Sequence, residues 1–329
     1  WALVKIESDD IINKKIPFQK LPKAFDIEKL GFIKKILKNQ AELKTLEISM
    51  IFWSLSRNSV FRHAYVSNNK AYEIFFSKLF EKIIMLEDQL NSQQISTISM
   101  SLARLNFSNS NEVPANTVKF LSSSSQHNDN KWSNNILKTL SKSALSVMSE
   151  FTFQDLENCL ISLEKMDTKQ IGKKELGFKK LLKSSVARAS LLLENYDQKI
   201  YGYSRIEPQN VCNFMLALAK FKWKRDLGKL VTCSEAYIIE RKKILTPRDI
   251  ANVAWAFSKL GIGRKAVSCL SDEAVIRMEE FNAQELSKLL FAIDKCNIKN
   301  EKLQAMYSKP VKLIFEFNNL DGAIVINHL

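Results

Sequence analysis

Glycine and proline are scarce in this chain, at eight and six in 329 residues. Sheets joined by tight turns need many of both, because turns demand positive φ or a φ fixed near −65°. Their shortage argues against an all-β or α/β architecture, and helix is favoured before any pattern is read. Histidine is rarer still. His63, His127 and His328 are the only three, and none stands at metal-ligand spacing from another candidate. Cysteine is odd in number: Cys159, Cys212, Cys233, Cys269 and Cys296 include no close C-x-x-C pair. That excludes a disulfide framework and reads as reduced thiols in a non-oxidising compartment. No apolar run approaches the roughly 18 to 20 residues of a membrane span, so none is expected. The first residue is Trp1 rather than Met, and the expectation is a processed or trimmed product whose targeting peptide is out of view.

What is present is hydrophobic mass and positive charge. A 46% hydrophobic content is that of a chain with a large buried core. Lysine and arginine number 49 against 35 acids, a formal charge of +14. An excess of this size accompanies polyanionic partners such as nucleic acid or an anionic membrane surface, and charge alone does not choose between them.

One segment type recurs six times: LKTLEISMIFWSLSRN, LNSQQISTISMSLARL, FTFQDLENCLISLEKM, IEPQNVCNFMLALAKF, LTPRDIANVAWAFSKL and FNAQELSKLLFAIDKC. They align without a gap on a small residue: Ser54, Ser101, Ser162, Ala217, Ala256 and Ala292. Successive anchors lie 47, 61, 55, 39 and 36 residues apart, and the shortest spacings are those of helical-hairpin repeats. Six places before the anchor and one after it, the residue is apolar every time. Positions −6, −3, −2, +1 and +4 from the anchor span an arc of about 120°, a buried stripe on one helix. A second amphipathic segment follows each, for example KAVSCLSDEAVIRMEEF. A helix with one apolar stripe cannot bury it alone, whereas stacked hairpins can. The expected fold is all-α, an α-solenoid of about six repeats of roughly 36 to 39 residues. Residues 1–40 read as an N-terminal cap or degenerate repeat and 41–316 as the solenoid, with an insertion loop at 106–131 and a smaller one near DTKQIGKKELG. Residues 317–329 read as the start of a truncated further repeat.

Three places after the anchor stand Arg57, Arg104, Lys165, Lys220, Lys259 and Lys295, six cations in six segments. A cation in the last turn of a helix is favoured by the macrodipole by about 0.3 to 1 kcal/mol, which accounts for the column without any ligand. A second account comes from the same face. Eight places before the anchor come Leu46, Gln93, Gln154, Gln209, Arg248 and Gln284, and four before it Met50, Thr97, Asn158, Asn213, Asn252 and Lys288. Helical geometry gathers these columns with the cation opposite the apolar arc. Such a ridge pairs amides suited to base edges with cations suited to phosphates. One place before the anchor, Trp53, Trp255 and Phe291 are aromatic, fit either for packing or for stacking on a base. The run KFKWKRDLGK interleaves Phe221 and Trp223 with Lys220, Lys222, Lys224 and Arg225 where a helix gives way to its loop. It is either a phosphate contact or a solvated basic turn.

Signals of catalysis are weak. No nucleophile, base and orienting group can be assembled, and no cofactor or metal is expected. The stretch GIGRKA, 261–266, follows a helix rather than a strand, so Gly261 reads as a helix stop and not as part of a phosphate cradle.

The motif PRDIANVAWAFSKLGIG, 247–263, resembles the signature of octotricopeptide and heptatricopeptide repeat proteins, many of which carry an RAP module. A proline at the helix start is followed by a Trp-Ala-hydrophobic run and Lys-Leu-Gly. PQNVCNFMLALAKF, 208–221, is a second match, the likeness is specific over roughly 206 to 310, and the other segments are degenerate. The resemblance implies an RNA-binding helical repeat of an organelle, mitochondrial or alternatively plastid. It further implies organellar ribosomal RNA and neighbouring proteins of a ribonucleoprotein particle as partners, as a component or assembly factor of the mitochondrial ribosome. Family reading positions on the first helix of each hairpin carry over to Gln209, Asn213 and Lys220, and to Arg248, Asn252 and Lys259. The competing expectation is a protein-binding scaffold of the HEAT or armadillo type.

Overall fold

The computed structural model describes residues 36, 38, 40–57, 70–107, 129–166, 176–196 and 206–298. The cap expected over 1–40 lies outside them apart from 36, 38 and 40, as do 108–128 of the insertion, 167–175 and the closing segment 317–329. All three histidines fall there too.

Each of the six aligned segments begins with a sequence able to start a helix. In the last two, Thr246 and Asn282 accept from the backbone N–H of Asp249 and Glu285, at 3.2 and 2.9 Å, satisfying donors that have no partner inside the helix. Asn282 and Glu285 complete a capping box, and Asn91 with Gln94 makes the same reciprocal pair. An apolar residue stands just before the cap: Leu90, Phe151, Leu245 and Phe281 are all buried, as are Ile95, Leu156, Ile250 and Leu286 five places on. This is the spacing of a hydrophobic staple. A short 3-10 turn precedes the cap in five of the six: Gln40–Glu42, Glu87–Gln89, Met148–Glu150, Lys242–Ile244 and Met278–Glu280.

The resulting helices are α1 (Thr45–Arg57), α2 (Lys70–Met85), α3 (Ser92–Phe107), α4 (Asp129–Ser146), α5 (Phe153–Lys165) and α6 (Leu176–Glu194), then α7 (Pro208–Lys220), α8 (Gly228–Arg241), α9 (Pro247–Leu260), α10 (Arg264–Ile276) and α11 (Ala283–Lys295). The fold is all-α, with no strand among the described residues, and the aligned segments are the odd-numbered helices. None of these helices is long and apolar enough to cross a membrane.

Two compact units divide the chain. The first holds 1–150 with 165–181, and the second 151–164 with 182–329. In the first, α1 packs along α3 and α2 against α4. Phe52 of α1 stacks on Phe80 of α2 with ring centroids 5.9 Å apart. Ser143 of α4 donates to the Glu87 carbonyl at 2.8 Å, and Lys142 pairs with the Glu87 carboxylate, so the 3-10 turn is fastened to the next even helix.

In the second unit, α7 packs on α9 and α9 on α11, while α8 packs on α10. The anchors Ala217, Ala256 and Ala292 are buried between them, and small side chains there let the helix axes approach. Phe153 of α5 meets Phe214 of α7 edge to face at 5.4 Å.

Helices α7, α9 and α11 stop in the same way. Ile262 donates to the Phe257 carbonyl at 3.0 Å and Gly261 to that of Ser258 at 3.2 Å, a Schellman closure with Gly261 at φ 75°. Lys222 and Asn297 take the place of Gly261 in α7 and α11, with φ of 56° and 51°. The glycines of 261–263 are thus a helix stop and the entry to α10.

Gly261 and Gly263 differ in a testable way. A Cβ on Gly261 meets nothing within 4 Å, whereas one on Gly263 would lie 2.5 Å from Cγ of the buried Phe257. Gly261→Ala should cost about 1 kcal/mol from left-handed backbone alone, and Gly263→Ala about 3 kcal/mol or more because Phe257 must move as well. Urea denaturation of the two variants checks the order.

Candidate nucleic-acid interface

The cation column is placed by helix ends. Arg57, Lys165, Lys220, Lys259 and Lys295 are exposed and Arg104 is half-buried, each in the last turn of an odd helix. Several lean on neighbours. The Arg57 guanidinium lies 4.7 Å from the Trp53 ring centroid, and Lys259 Nζ lies 5.5 Å from that of Trp255 and 4.2 Å from that of Phe291 on α11. Trp53 and Trp255 therefore hold the cation of their own helix one turn later, and Phe291 holds that of the preceding odd helix, an attraction worth about 0.5 to 1 kcal/mol at an exposed site. Lys220 pairs with Glu164 at 3.1 Å, tying the end of α7 to the end of α5.

The amide ridge divides into two parts. Eight places before the anchor, Gln93, Gln154, Gln209, Arg248 and Gln284 are all exposed, and so is Leu46. Four places before it, Asn213, Asn252 and Lys288 are bonded across the seams between odd helices. Asn213 donates from Nδ2 to Glu157 Oε1 at 2.9 Å, and Asn210 donates to Oε2 of the same carboxylate at 3.0 Å. Asn252 is only 6% exposed and its carbonyl oxygen accepts from Lys288 Nζ at 3.0 Å. Asn158 is half-buried. Seam bonds of this kind satisfy polar groups that burial would otherwise leave unmatched, and they engage the very atoms that would read a base. The exposed column at −8 is the part of the ridge that faces solvent.

The run KFKWKRDLGK forms the turn between α7 and α8. Lys222, Lys224 and Arg225 are exposed around the left-handed residues Lys222 and Asp226. Lys183 of α6 approaches Asp226 at 3.9 Å. Lys229, in the first turn of α8, pairs with Glu194 at 2.7 Å, and that hydrogen bond holds its ammonium pKa above the usual lysine value. Trp223 is half-buried beside them.

Three features escaped sequence reading. Glu157 and Glu164 serve as partners of the polar column and of Lys220, and both look like ordinary helix-surface acids in the sequence. Arg264 and Lys265 open α10 next to the end of α11, with Arg264 Nη2 donating to the Asn297 carbonyl at 3.1 Å. A tally of charge by turn rather than by helix column would have found that pair. The staple residue before each cap was already the first letter of all six aligned segments. Comparison with protein-family models and with curated proteins finds no match for this chain.

The seam between α5 and α7 makes a direct prediction. Asn213→Ala removes one donor from the buried Glu157 carboxylate, and hydrogen bonds to a charged group contribute about 1.5 to 3 kcal/mol. A loss of stability in that range is expected in chemical denaturation, with Glu157→Gln in the same background recovering part of it. A loss below about 0.5 kcal/mol for Asn213→Ala would mean the seam bond is idle.

Proposed function

We propose that the chain is an RNA-binding α-solenoid of about six helical hairpins, with the odd helices as the first helix of each. The observation that carries the reading is the basic residue at the end of every odd helix, exposed in five of the six. Lysine and arginine recurring at helix ends suit the charge of a phosphate backbone, while the exposed glutamines at −8 offer donor and acceptor groups to bases. The resemblance of 208–221 and 247–263 to octotricopeptide repeats extends the proposal to an organelle, the mitochondrion or alternatively a plastid. It also suggests ribosomal RNA of that organelle as the partner, held within or during assembly of the ribosome. No catalytic step is part of this reading.

A protein-binding scaffold is favoured at one place. On α1 the ridge positions are Leu46 and Met50, 59% and 55% exposed, where the other odd helices carry polar groups. That apolar patch suits a neighbouring protein better than a phosphate chain.

Charge reversal of Lys165, Lys220 and Lys259 together should weaken binding of single-stranded RNA at least tenfold, with the circular dichroism spectrum unchanged. Fluorescence anisotropy on a labelled oligonucleotide reads the affinity, which should fall steeply as salt is raised. Equal affinity of the triple variant and the parent rejects the reading.

A further inference from the structure

We propose that, in the second unit, the RNA backbone runs along the edge where the odd helices end and the even helices begin, and is held there through its phosphates without regard to base. The inference rests on the RNA-binding reading and says which surface does the holding. Neighbouring ends along this edge are tied together by contacts already described: Lys220 to Glu164, Lys259 to the Phe291 ring, and Arg264 to the Asn297 carbonyl. The start of α10 also reaches α8, the Ala266 N–H donating to Glu235 at 3.3 Å.

The charge on this edge is predominantly positive. Within 217–231, 257–267 and 292–298 stand nine lysines and arginines against Asp226 and Asp294, and all nine cations are exposed, while Glu164, Glu194 and Glu235 reach the same edge from α5, α6 and α8 and engage Lys220, Lys229 and the Ala266 N–H. The opposite edge, 238–250 with 273–286, has five cations and six acids. Two of those five are engaged: Arg277 with Glu280 at 2.7 Å and the Leu245 carbonyl at 2.9 Å, and Arg241 with Glu240 at 2.8 Å. On the basic edge, among the described residues, no carboxylate pairs with Lys222, Lys224, Arg225, Lys265 or Lys295.

Helix termini add to the contrast. At the opposite edge α9 and α11 are capped by Thr246 and Asn282, with Asp249 and Glu285 beside them. At the basic edge neither α8 nor α10 has a cap from its own N-cap side chain; the positive dipole end of α8 reinforces the lysines, while α10 gives one first-turn N–H, that of Ala266, to Glu235. The amides at −4, by comparison, are engaged in the seams by Glu157 and Lys288. Cations that reach phosphates position a strand but carry no sequence information, so this edge holds many RNAs equally.

The test compares the parent chain with three variants of it. An edge variant carries Lys224→Glu, Arg225→Glu and Lys265→Glu, none of them in the cation column, and a ridge variant carries Gln209→Ala, Arg248→Ala and Gln284→Ala. Each is titrated with labelled oligouridylate and oligoadenylate of about 20 nucleotides between about 50 and 200 mM salt. The expected result is at least a fivefold loss for the edge variant on both oligonucleotides, with a shallower dependence of log K on log salt, and less than a threefold loss for the ridge variant. The neutral set Lys224→Gln, Arg225→Gln and Lys265→Gln should fall between parent and edge variant, and it decides the matter if the reversed set fails to fold. A smaller loss for the edge variant, or a loss on one oligonucleotide only, overturns the inference while leaving RNA binding in place. Failure of the parent to bind either oligonucleotide overturns both.

Discussion

One constraint organises each unit: an odd helix has a single apolar stripe, and the next odd helix covers it. The stripe of α9, with Ile250, Val253, Ala254 and Phe257 fully buried, lies between α7 and α11. Alanine at the anchor keeps the axes close, as close packing of helix ridges requires. Once that contact is made, the remaining faces are assigned. On the face away from the stripe, Asn213 and Asn252 fall into the seams while Gln209 and Arg248 meet solvent, and the two ends of each helix come out on two edges.

The edges have different chemistry because helix termini leave different groups unmatched. Where α3, α5, α9 and α11 begin, the chain supplies its own hydroxyls, amides and carboxylates, and a staple residue fixes the entry angle. Where α7, α9 and α11 end, carbonyls are closed by the backbone of a left-handed residue, and no acidic side chain is needed. Lysine and arginine complement the negative end of the dipole there. A positive edge and a mixed one thus follow from the polarity of the helix itself. The proposed function makes use of an asymmetry that capping chemistry had already set up.

The seams show how polar groups can serve packing. Glu157 is buried yet accepts from two asparagines, and Lys288 reaches across to Asn252. Bonds of this type make one register of neighbouring helices better than its alternatives, since a slipped helix would leave a buried carboxylate unmatched. The same geometry explains the rings of Trp53 and Trp255, which lie one turn before a cation and under it.

Helical character, the identity of the odd helices and their apolar stripes were legible in the sequence, because 3.6-residue periodicity and local start and stop signals act within a dozen residues. The cation at each helix end was legible for the same reason. Which polar residues would meet solvent was not. Gln209 and Asn213 belong to one face of one helix by sequence, yet the first is exposed and the second is bonded to Glu157, 56 residues earlier. Arg264 and Lys220 belong to different helices, yet both stand where odd helices end. A helix wheel describes a lone cylinder, and only the packing of neighbouring cylinders decides which of its polar positions become seam and which become surface.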